Sequence, residues 1–273
     1  MSAAATSARV RSRAEVADST LAPTRSFSVG LVAIVPLFAC YEFALLAEPS
    51  SARNFGELFL GLLLRPFGSH ADAARAIVLL LGSLAAFLVA SRRGRASLGS
   101  DLARVFLEGA LAACVLGPVM VIVLRSCAPY LPVLDASWNI GQPGPGLVDT
   151  ALVFGAGAWE ELVFRVGLYS FVYWLVRRFL AALGVRERVA RASAEVLGLA
   201  LSSLLFAAAH FQPVLRHFGP GGRPFDPALF AWLTLGGVAM GLLFRLRGPG
   251  VAAWAHGLFN VALWIGLDPD VIW

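Results

Sequence analysis

Lysine is absent from this 273-residue chain, and all 22 basic residues are arginine. Charge of either sign is scarce: 14% of residues are charged, against roughly a quarter in an average soluble domain. Cysteine is rarer still. Cys40, Cys114 and Cys127 are too few and too scattered for a disulfide framework or a cysteine metal site. These shortages exclude a disordered chain, a basic nucleic-acid-binding tail protein and an ordinary cytosolic enzyme. What is present is apolar, with 58% hydrophobic residues and a mean hydropathy of +0.75. Long apolar stretches of that kind need lipid rather than a packed soluble core. The expected fold is therefore all-α, a polytopic transmembrane helix bundle whose first partner is the lipid bilayer, with no nucleic acid. The net charge of +5 says little about acidic partners, because in membrane proteins the placement of basic residues matters more than their sum.

A helical span needs ~20 mostly apolar residues. About seven stretches come close to that length: 29–47, 76–90, 105–124, 147–176, 194–211, 228–244 and 251–267. The second is short, and so begins earlier or tilts. The N-terminal tail and the second, fourth and sixth connections hold 15 arginines, the alternate loops six, and Arg165 lies inside a span. The positive-inside rule then puts the N-terminus in the cytoplasm and the C-terminus, with Asp268 and Asp270, outside a cell membrane. Residues 1–25 read as a polar cytoplasmic tail, since no short apolar region with a small-residue cleavage site follows them. Residues 26–146 form the N-terminal transmembrane helices and 147–273 a C-terminal core. The Pro/Gly-rich segment CAPYLPVLDASWNIGQPGPG divides them.

An ionisable group in a span costs ~2.5–3.5 kcal/mol on insertion scales and marks a functional site by default. In the first three spans Glu42 and Glu108 are the exceptions, each within reach of an end or a partner. The later spans are richer. The fourth holds Glu160, Glu161 and Arg165, the fifth His210, and the seventh His256 and Asn260. Unless these groups meet one another their burial goes uncompensated, so they are expected to converge. Glu161 and Arg165, four apart, share a face in the favourable acid-before-base order, which reads first as a self-neutralising ion pair. Glu160 is turned ~100° away and has no cation on its own face, so it is the better catalytic candidate. His256 and Asn260 also share a face, with Ala252, Ala253 and Gly257 nearby to permit close helix approach. Phe206 and His210 repeat the four-residue spacing. A lone His in a span reads most simply as interhelical glue, but two His, an unpaired Glu and an Asn together suit amide hydrolysis. A carboxylate with an imidazole can activate water, and an imidazole with a carboxamide can stabilise an oxyanion. His70 and His217, in loops, read as solvated surface.

The segments EELVFR (Glu160–Arg165), FAAAH (Phe206–His210) and HGLFN (His256–Asn260) have the patterns EExxxR, FxxxH and HxxxN. In this order, on three late hydrophobic spans, they resemble the CPBP family, the type II CAAX prenyl endopeptidases and their many prokaryotic relatives. The resemblance covers about residues 147–267, which makes 147–273 the catalytic core. It implies an intramembrane endopeptidase acting on a membrane-anchored protein or peptide. In that assignment Glu160 activates the attacking water and His210 assists. His256 and Asn260 form the oxyanion hole, while Glu161, Arg165 and Phe206 give structural support. The family has also been described as metal-dependent, and Glu160, His210 and His256 are an alternative set of zinc ligands with water in the open position. Asn is a poor zinc ligand and a good oxyanion donor, and HExxH is missing, so the favoured reading uses no cofactor. A nucleophilic serine is disfavoured, since no elbow motif surrounds Ser202 or Ser203. The rival reading is a non-proteolytic scaffold or immunity protein that keeps the cluster for packing. By span depth the site lies in the middle to outer half of the bilayer, with His210 close to the outer end of its span.

Overall fold

The structure is a computed structural model that describes residues 26–48, 54–92, 95–127, 146–218 and 224–266. The arginine-bearing tail and most of the Pro/Gly-rich divider lie outside these residues. Regular structure among the described residues is helical throughout. Helix α1 spans Phe27–Ala47 and α2 Phe55–Leu64; a 3₁₀ segment, Arg65–His70, leads into α3, Ala71–Ser91. Helix α4 is Arg95–Cys127 and α5 is Leu147–Glu160. A π-helical stretch, Glu161–Tyr169, joins α5 to α6, Ser170–Ala182. Helix α7 is Glu187–Ala208, α8 a single turn at Gln212–Leu215, α9 Pro227–Arg247 and α10 Pro249–Gly266.

Five segments are long and apolar enough to cross a membrane: Phe27–Ala47, Phe55–Ser91, Ser97–Met120, Glu187–Ala208 and Pro227–Arg247. The stretches expected at 147–176 and 251–267 are helical as well, as α5 to α6 and as α10, but they are not among those five. The second span does begin earlier than its hydropathy alone indicated, because α2 and the 3₁₀ segment precede α3. The outer faces are apolar: Ile77, Leu80, Leu81, Leu84 and Leu88 of α3 and Leu107, Leu111 and Val115 of α4 are all exposed. In water so large a patch would drive association. In lipid it is the ordinary state, since hydrocarbon tails are as apolar as leucine. The protein is a multi-pass membrane protein.

The centre of the bundle is α10, which packs on α1, α4, α5, α9 and the π-helical stretch. Val251, Ala252, Ala253 and Ala255 are buried almost completely; their small volumes let five neighbours approach at once. The closest approach is the crossing of α5 and α10, where glycine meets glycine. A Cβ on Gly157 would lie 2.7 Å from the Gly257 nitrogen, and one on Gly257 would lie 2.6 Å from the Phe154 carbonyl oxygen. This crossing decides where the polar residues fall, because Glu160 follows Gly157 by one turn and His256 precedes Gly257. The exceptional glutamates of the earlier spans are paired: Glu42 with Arg75 at 2.8 Å and Glu108 with Arg247 at 2.6 Å.

Candidate active site

Glu160, Glu161 and Arg165 lie where the chain passes from α-helix to π-helix. In the π stretch bonds run to the fifth residue, as from the Ser170 amide to the Arg165 carbonyl, a distortion found mostly at functional sites. Glu161 and Arg165 are fully buried, with Nη1 and Oε1 3.4 Å apart. Arg165 also donates from Nη2 to the Gly237 carbonyl of α9 at 2.9 Å and stacks its guanidinium 4.7 Å over the Phe206 ring of α7. One cation thus ties the π stretch to two other helices.

Glu160 and Glu161 both face the same imidazole. His256 Nδ1 is 2.9 Å from Glu161 Oε1, and its Nε2 is 3.3 Å from Glu160 Oε2. The second imidazole comes from the turn just past the end of α7. His210 Nδ1 lies 2.9 Å from the Phe206 carbonyl oxygen. A carbonyl only accepts, so Nδ1 carries the hydrogen there. Nε2 of the neutral ring is then a lone pair, facing Glu160 Oε1 at 3.9 Å, a gap that a water oxygen spans. The Phe206 ring lies 4.9 Å from His210 and 5.6 Å from His256, edge-on to both. Asn260 is half-buried one helical turn beyond His256 and makes no hydrogen bond to another described residue. The structure therefore brings Glu160, Glu161, Arg165, Phe206, His210 and His256 into mutual contact, with Asn260 on the adjoining turn. His70 and His217 are exposed.

One member of this cluster was not anticipated. Asn54 donates from Nδ2 to Glu160 Oε1 at 2.6 Å across 106 residues of sequence, and it is buried. Its side-chain oxygen accepts the Gly56 amide at 2.7 Å, capping α2. The signal for it was present, since Asn54-Phe55-Gly56-Glu57 before an apolar run is a capping-box pattern. The usual reciprocal bond is replaced here by a tyrosine. The Tyr41 hydroxyl accepts the Asn54 amide at 2.9 Å and donates to Glu57 Oε2 at 2.7 Å. Arg75 then bonds both Glu57 and Glu42.

Among the described residues no group of three or more His, Cys, Asp or Glu side chains is placed to hold a metal ion. No step of the reaction proposed below passes through a metal.

A buried cluster of acids and imidazoles inside a bundle of lipid-length helices defines a membrane protein that concentrates its polar chemistry away from water. Residues 144–262, which contain all seven residues of the three motifs, match the family model described as Type II CAAX prenyl endopeptidase Rce1-like. No curated protein and no solved structure matches the chain.

Proposed function

We propose that this protein is an intramembrane endopeptidase that hydrolyses a peptide bond of a membrane-anchored protein or peptide, with Glu160 and His210 activating the attacking water. The observation that carries the reading is one buried carboxylate, Glu160, lying 3.3 Å from His256 Nε2 and 3.9 Å from His210 Nε2 on three separate segments of chain. Water between His210 Nε2 and Glu160 Oε1 touches two proton acceptors, so its proton leaves as its oxygen attacks the carbonyl carbon. His256 is oriented from behind by Glu161, as a carboxylate orients the imidazole of a catalytic triad. Both of its ring nitrogens face carboxylate oxygens, which only accept. Its Nε2–H together with the Asn260 amide then stabilises the tetrahedral oxyanion. Glu160 returns the proton to the leaving amine. Glu161, Arg165 and Phe206 hold the groups in place. The N-terminus lies in the cytoplasm and the C-terminus outside, following the arginine distribution.

The test compares membrane-protein termini, by mass spectrometry, between cells carrying the native chain and cells carrying Glu160→Gln. Termini present only with the native chain, at equal protein accumulation, support a protease; identical termini overturn it. A second reading, a scaffold that uses the cluster for packing, draws on the web from Arg165 to Gly237 and Phe206. It is favoured if Glu160→Gln retains function. Cleavage is expected to persist in chelator, whereas stoichiometric zinc with chelator-sensitive cleavage would replace the metal-free mechanism.

A further inference from the structure

We infer that Asn54 is a positioning residue for Glu160, contributed by the N-terminal half of the chain from outside the family-matched segment; the inference rests on the proposed role of Glu160. The orientation of the Asn54 amide is set by its neighbours. Its oxygen is committed to the Gly56 amide, so the nitrogen end is the one turned to Glu160. Its backbone is fixed by the Tyr41 hydroxyl, which is itself held by Glu57, and Glu57 by Arg75. A side chain fastened at backbone and oxygen can restrain whatever its remaining end touches. Here that end meets Oε1, the oxygen of Glu160 that faces His210, while Oε2 faces His256. Asn54 thus fixes the carboxylate rotamer that presents one oxygen to each imidazole. A glutamate has three rotatable bonds, and without the amide Oε1 is free to swing away from His210.

Helix capping alone would also explain the geometry at Asn54, and two substitutions separate the roles. Asn54→Asp and Asn54→Ser both keep an oxygen able to cap α2. Asp sets a second carboxylate oxygen against Glu160, and Ser removes the reach. Two measurements are made on the purified full chain in liposomes. The first is steady-state cleavage of a synthetic peptide spanning the site mapped by the terminus comparison. The second is the infrared carboxyl band that disappears in Glu160→Gln. Expected results are a kcat lower by about ten-fold or more, the kinetic equivalent of one hydrogen bond to a charged group. KM should stay within about two-fold, Asp should be worse than Ser, and the band should shift in both. Unchanged kcat and an unmoved band in both variants overturn the inference and leave Asn54 as a cap. Failure of both to accumulate also overturns it, by assigning Asn54 to the fold. If Glu160→Gln leaves cleavage intact, the proposed role of Glu160 falls, and the infrared band alone decides whether Asn54 holds Glu160.

Discussion

Two buried charge networks lie side by side in this bundle, one built by the N-terminal helices and one by the C-terminal helices. In the first, Arg75 takes both Glu57 and Glu42, and Tyr41 takes the remaining Glu57 oxygen. In the second, Arg165 takes Glu161, while Glu160 faces two imidazoles and an amide and, among the described residues, has no arginine within salt-bridge distance. Both networks satisfy the requirement that charge in the hydrocarbon layer be paired or hydrogen-bonded. They differ in what is left over. A carboxylate clamped by a guanidinium is a poor proton acceptor, whereas one beside imidazoles can exchange protons with them. The first network therefore reads as framework and the second as chemistry.

The sharpest way to break this contrast is Glu160→Gln. It is expected to lower cleavage at least ~100-fold, within the range for loss of a general base, with accumulation and thermal melting close to native. Asn260→Ala should follow at roughly 100-fold in kcat, the loss expected for one oxyanion donor. Its stability should change little, because the amide makes no bond to another described residue in the resting protein. The arginines test the framework side. Arg165→Met removes the guanidinium from the fully buried Glu161 and should cost about 3–5 kcal/mol in unfolding experiments. The double variant Glu161→Gln/Arg165→Met should regain part of that stability but not activity, since Glu161 also orients His256. The smallest effect belongs to Arg247→Gln. Its pairing with Glu108 is partly exposed, and its loss should stay below about 1 kcal/mol with cleavage unchanged. If Arg247→Gln matched Arg165→Met in melting experiments, burial would not be what distinguishes these pairs.

Much of the candidate site was legible because helical spacing is local. Glu161 with Arg165, Phe206 with His210 and His256 with Asn260 are each four apart, and four residues return a helix to the same face. The cost of charge in lipid made convergence of the three spans the economical expectation. Spacing could not show that Glu161 serves His256 as well as Arg165, because that contact joins residues 95 apart. Nor could it show the π-helical stretch at Glu161–Tyr169, which hydropathy does not register. Asn54 was passed over for a related reason. Its capping pattern is readable, but its contact with Glu160 depends on how α2 docks against the start of the π stretch.

Composition and hydrophobic pattern by themselves determined that this is a helical membrane protein, and three short motifs picked out the side chains proposed to carry its chemistry. Both are consequences of local rules: lipid demands internally bonded helices, and side chains four apart share a face. Tertiary structure alone decided which oxygen of Glu160 meets which imidazole and that Asn54 holds it. Those distances are set by glycine crossing glycine between α5 and α10, a packing event between residues 100 positions apart.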